Sequence, residues 1–141
     1  MAKKNFLNAK AARLLRRVIK HIKKEPLRYD QNIWRDKDVP GDHVFDDDFI
    51  HNAVYPECGT RACLGGWLNI LTGAKTDKQL MSYIRACKQI GLDPADRAHA
   101  LFGYNCNWPQ PFRRNYEKAK TPKKRAAVAE KRVEHFIKTG E

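Results

Sequence analysis

Cys58 and Cys63 stand five residues apart around Gly59-Thr60, with His43 and His51 a short way upstream. Thiolates and imidazoles are the preferred donors of zinc, which takes four of them in a tetrahedral structural site. His43, His51, Cys58 and Cys63 therefore form one conceivable ligand set, spread over only 21 residues. The C-x4-C spacing sits at the edge of the usual range, however, and no second cysteine pair completes a standard finger. His99 and Cys106 are the other available donors. A different chemistry would use Cys63 as a nucleophile. It falls where an apolar helix begins, and a helix N-terminus lowers a thiol's pKa. That reading needs a base, and His51 or His43 would have to fold back to supply it. A reversible Cys58–Cys63 disulfide is the third possibility, although a reducing compartment opposes it.

The acidic run Asp42, Asp46, Asp47, Asp48, flanked by the same two histidines, is raw material for a divalent cation. It lacks the alternating aspartates and glycine of a calcium loop. Consecutive aspartates also point in different directions, so the run reads as a solvated loop or a helix cap. The cysteine cluster has a structural reading as well. Gly59 permits a positive φ in the turn, and Thr60 or Cys58 can cap free helix N–H groups. Gly65 and Gly66 let a neighbouring helix approach, and Trp67 fills the space beside them. Two glycines early in a helix cost about 1 kcal/mol each relative to alanine, so close packing or a ligand must compensate. No ligand set or base completes the cluster, and packing is the reading carried forward. Zinc is the cofactor it would otherwise call for.

The elements that hold these residues are helical. From Asn5 to Lys24, Leu7, Ala11, Leu14, Leu15, Val18, Ile19 and Ile22 follow one buried stripe, with Asn5 as N-cap and Glu25-Pro26 as the stop. A second helix runs from Ala62 to about Thr72, closed by Gly73. A third opens at Thr76-Asp77 with Leu80, Met81, Ile84, Cys87 and Ile90 inward and Gly91 at its end. Asp93-Pro94 opens a short helix carrying Ala95, Ala98, Leu101 and Phe102. Pro111 can begin a helix reaching about Lys120, and Thr121-Pro122 begins the last, with Ala126, Ala129, Val133, Phe136 and Ile137 inward and Gly140 ending it. No stretch alternates as a strand must. The expectation is an all-α, compact single domain, residues 1–141, of five or six short helices, with a polar and acidic insertion at 35–57.

Charge narrows the partner class. The net charge is +12. Residues 1–24 hold nine Lys/Arg and no acid, residues 25–60 sum to −6, and residues 111–141 to +6. Clustered cations of this kind suit a polyanion. Lys10, Arg13, Arg17, Lys20 and Lys24 recur at three- and four-residue intervals on one helix face. Arg113, Arg114, Lys123, Lys124 and Arg125 form a second basic set, and Trp108 and Tyr116 nearby suit stacking on unpaired bases. No named DNA-reading motif is matched. No apolar run approaches the roughly 18 residues of a membrane span, and no secretory leader is evident, so a cytoplasmic protein with no membrane partner is expected.

Asp30-Gln31 followed by Trp34, then Cys58-Gly59-Thr60, Ala62-Cys63 and Gly65-Gly66-Trp67, resembles a group of uncharacterised small phage and bacterial proteins. These share a Gln-x-x-Trp element and a Cys-Gly-Thr-x-x-Cys-x-(Ala/Gly)-Gly-Trp core. The resemblance continues into Leu101-Phe102, Trp108-Pro109, and Thr121 with Arg132-Val133-Glu134 and Phe136-Ile137. The longer insertion between Trp34 and Cys58 departs from it. What it implies is a phage or mobile-element setting, in which small basic proteins modify host machinery or handle nucleic acid within the host cytoplasm.

Three functions follow. One is a non-enzymatic accessory protein binding nucleic acid or a ribonucleoprotein through its basic helices. The second is an effector docking on an acidic host protein, such as a polymerase or defence complex, with exposed aromatics giving specificity. The third is an enzyme using Cys63 with His51, or a metal at the Asp/His cluster.

Overall fold

The computed structural model describes residues 4–31, 36–37, 60–61, 63–80, 82–93, 99–103 and 105–141. The helices, in chain order, are α1 (Ala9–Lys24), α2 (Leu64–Leu71), α3 (Asp77–Leu80), α4 (Tyr83–Gln89), α5 (His99–Phe102), α6 (Phe112–Lys118) and α7 (Pro122–Thr139). Single 3-10 turns lie at Pro26–Arg28 and Asn105–Asn107. The architecture is all-α, as the periodicity predicts. One two-residue antiparallel ladder, β1 (Asp36–Lys37) on β2 (Thr60–Arg61), brings the flanks of segment 38–59 side by side. That segment, with the aspartate run, His43, His51 and Cys58, lies outside the described residues, as do Trp34, Met81, Ala95 and Ala98 with the Pro94 helix start.

α1 and α7 are the two long helices, and they pack against each other. α1 buries Ala11, Ala12, Leu15, Val18, Ile19 and Ile22, and each fully buried aliphatic side chain stabilises by about 1.5–3 kcal/mol. Its N-cap is Asn8, whose Oδ1 accepts from Ala11 N at 2.8 Å, rather than Asn5. The three preceding residues leave the helix because Phe6 N and Leu7 N donate to Lys138 O and Ile137 O of α7. Thr121 caps α7 by accepting from Lys124 N, with Pro122 at N1, as the Thr-Pro pair predicts. Gly140 ends α7 at φ +73°, and an added Cβ there would stand 2.7 Å from the Phe6 ring. Only glycine meets both demands.

The single helix predicted from Thr76 to Ile90 is two helices. Ser82 caps α4 by accepting from Arg85 N, and the buried Asn69 amide donates to Leu80 O and Ser82 O at 2.9 and 3.0 Å. These bonds occupy the backbone where one helix would have run through. The break changes the facing of α4. Cys87 and Ile90 stay buried, but Ile84, expected inward, is 54% exposed.

Candidate nucleic-acid interface

Cys63 is the N-cap of α2, and its Sγ accepts from Gly66 N at 3.4 Å. Neither Thr60 nor Cys58 is needed for that bond. The thiol is fully buried, and desolvation pushes its pKa up to about 12, although N–H groups at the start of α2 pull the other way. Burial outweighs the helix-terminal field, so Cys63 is a capping thiol and the alternative of an activated nucleophile finds no support at this position. Cys87, buried on α4, is likewise pushed up to about 11 by desolvation. Of the four candidate zinc donors only Cys63 falls among the described residues. Those residues contain no group of three or more His, Cys, Asp or Glu placed to share an ion.

The glycines of the cluster serve packing. Leu64 through Ile70 are all buried, Gly65 and Gly66 included. Trp67 Nε1 donates to Arg28 O at 2.7 Å, and the His21 ring lies 4.3 Å from the Trp67 ring. Gln31 joins this core to the rest. Its Oε1 accepts from Tyr29 Oη at 3.1 Å and from Leu64 N at 3.3 Å. Its Nε2 donates to Leu101 O at 3.2 Å and Gly103 O at 2.7 Å, while its own N–H donates to Tyr116 Oη. One buried amide thus joins the chain after α1 to α2 and to the end of α5. At the other end of α2, Arg85 donates to Asn69 O, Asn69 Oδ1, Thr72 Oγ1 and Thr72 O, a cation closing a helix C-terminus.

The basic residues divide into two classes. Arg16 donates to both carboxylate oxygens of Glu134 at 2.8 and 3.0 Å, and Lys23 meets Glu130 at 3.0 Å. These pairs stitch α1 to α7. The Arg16 guanidinium holds the Glu134 carboxyl below its ordinary range. Residues 16 and 23 are seven apart but 130 and 134 only four apart, so sequence spacing does not announce the pairing. Lys10, Arg13, Arg17, Lys20 and Lys24 are the other class. All five are exposed and none joins an ion pair among the described residues. At 3.6 residues per turn they occupy an arc of about 80° and a length of about 21 Å. The arc lies opposite the buried stripe and contains no acid.

The second basic set is less uniform. Arg113 and Arg114 are exposed on α6, but Arg113 reaches Glu117 at 3.4 Å. Lys123 and Lys124 are exposed in the first turn of α7. Arg125 is partly buried, and its Nε donates to Ala119 O, tying α7 to the end of α6. Trp108 and Tyr116 require correction. Only 2% and 5% exposed, they stack edge-to-face at 5.2 Å. Trp108 Nε1 donates to Leu101 O at 3.1 Å and Tyr116 Oη accepts from Gln31 N. They are core residues, closed to a nucleobase. Arg132 is also interior. Its guanidinium lies 5.4 Å from the Phe112 ring, it donates to Glu141 O, and desolvation lowers its pKa to about 10.

No helix among the described residues is long and apolar enough to cross a membrane. Compared with known proteins, the chain matches no family model, no curated protein and no solved structure.

Proposed function

We propose that the protein is a non-enzymatic accessory protein that binds nucleic acid through the exposed cationic face of α1. A phage or bacterial setting, as the resemblance implies, is part of this proposal. The observation that carries the reading is the separation of cations into two classes. Where the fold needs positive charge, at the α1–α7 seam, each cation has a carboxylate. Along Lys10, Arg13, Arg17, Lys20 and Lys24 five cations repel one another with no acid on their face, a cost in stability that a polyanion removes. Lys123 and Lys124 add to the case. A helix N-terminus disfavours cations by about 0.3–1 kcal/mol each, and the first turn of α7 contains no acid to offset them.

A protein partner has less support. Among the described residues the exposed large apolar side chains are Phe6, Leu27 and Ile84, on three different elements, and Trp108 and Tyr116 are buried. The test is fluorescence anisotropy with labelled 20-nucleotide DNA and RNA probes, single- and double-stranded, at about 50 mM salt. Micromolar or tighter binding is expected, and the triple variant Arg13→Gln/Arg17→Gln/Lys20→Gln should lose most of it while its melting temperature stays level or rises. Failure of the wild-type protein to bind any of the four probes refutes the function.

A further inference from the structure

Resting on that reading, we infer that the ligand is a double helix, held by its phosphates without regard to base sequence. Three features of the α1 face lead there. The first is that, among the described residues, most aromatic side chains are withdrawn into the core. Proteins that track single strands combine cations with aromatic side chains on which bases stack. Here Tyr29, Trp67, Phe102, Trp108, Tyr116 and Phe136 are all 5% exposed or less. Phe6, 39% exposed just ahead of α1, is the exception, and it lies edge-to-face on Phe136, 5.9 Å away, while Trp67 is covered by His21.

The second feature is rigidity. α1 is capped by Asn8, buried along six residues and clamped to α7 by Arg16–Glu134 and Lys23–Glu130. Its five cations therefore stand on a straight rod, stepping alternately about 4.5 and 6 Å along the axis. A flexible single strand gains little from such a rod. A duplex, itself stiff and carrying one charge per about 1.7 Å of axis counted over both strands, presents phosphates that are likewise fixed and denser than the cations.

The third feature is the narrowness of the exposed arc. A recognition helix enters the major groove with both flanks free, so that side chains reach base edges. On α1 the flanks are occupied. Arg16 is held by Glu134 on one side, and on the other Leu14 packs against the core and His21 against Trp67. What remains is a ridge suited to lying on phosphates. Its hydrogen-bonding side chains are all lysine and arginine, which on a ridge with occupied flanks meet phosphates ahead of base edges, so duplex DNA and duplex RNA should both be accepted.

Salt dependence tests this with the unmodified protein. If all five cations neutralise phosphates of a duplex, log Kd should change with log salt with a slope near 4.5. Affinity then falls about 500-fold between 50 and 200 mM. Each Lys→Gln or Arg→Gln substitution on the stripe should lower the slope by about 0.9. At about 100 mM salt a 20-base-pair duplex should bind at least ten times more tightly than either of its strands, and three unrelated duplex sequences should agree within threefold. Equal or tighter binding of single strands, or more than tenfold variation among duplex sequences, overturns the inference and leaves nucleic-acid binding standing. A duplex slope below about 2 shows that the stripe is not the contact surface and overturns it too. Binding to neither form overturns the underlying function as well.

Discussion

Replacing Gln31 by methionine keeps the volume of the side chain and removes its four side-chain hydrogen bonds. The consequences differ among the partners. Leu101 O keeps the bond from Trp108 Nε1, and the Tyr29 hydroxyl still adjoins Tyr116. Leu64 N and Gly103 O lose the Gln31 partner that the wild type provides. A buried donor or acceptor left unpaired costs about 1–3 kcal/mol, so with two such groups Gln31→Met should destabilise the protein by about 2–6 kcal/mol. Against a typical total of about 5–15 kcal/mol that is a large loss. In urea, at a slope of about 2 kcal/mol per molar, the midpoint should fall by about 1–3 M. Circular dichroism of helix content against urea measures it. Gln79→Met is the control, because Gln79 is exposed and its side-chain oxygen accepts from Lys75 N at the surface. It should shift stability by less than about 0.5 kcal/mol. A Gln31→Met variant within that same margin of wild type would refute the view that this amide holds the elements together.

Other outcomes follow from the burial of titrating groups. Cys63 and Cys87 should resist alkylation in the native protein and react on unfolding, as peptide mass mapping would reveal; fast native labelling at Cys63 would contradict its capping role. Cys63→Ala should cost about 0.5–2 kcal/mol through the lost cap, with Cys63→Ser nearer wild type because its hydroxyl can accept from Gly66 N. Burial lowers the His21 pKa, with Glu25 opposing and Arg28, Lys24 and Arg17 reinforcing. The unfolded chain therefore takes up a proton first as pH falls below about 6.5, and stability declines there by at most about 1.4 kcal/mol per pH unit. Glu134, with its pKa lowered by Arg16, contributes stability above its ordinary range and loses it only at lower pH. Denaturation from pH 7 to 5.5 should show a shallower decline in His21→Phe than in wild type, and parallel curves would count against it.

Periodicity carried much of the helical plan because α1 and α7 bury one face each and end on strong signals, Glu25-Pro26 and Thr121-Pro122. It failed where a tertiary bond overrode a local pattern. Asn69 and Ser82 split one apolar stripe into two helices, and nothing near residues 77–90 announces that an amide on α2 will do so. The cationic stripe was legible because exposure follows directly from helical spacing. Trp108 and Tyr116 were misjudged for the opposite reason. Proximity in sequence to Arg113 and Arg114 suggested one surface, but α6 turns its aromatic side inward to meet Gln31. The chemistry suggested by Cys63 depended on its surroundings, and burial, which one sequence does not display, decided it.

The pairing of α1 with α7 also has a consequence for synthesis. Arg16 and Glu134 are 118 residues apart. At about 5–20 residues per second, roughly 6–24 s separate the emergence of the two from the ribosome. Throughout that interval α1 is a cationic amphipathic segment whose apolar side lacks its long partner. Slower translation would lengthen that exposure, and a chain stopped before α7 would never end it.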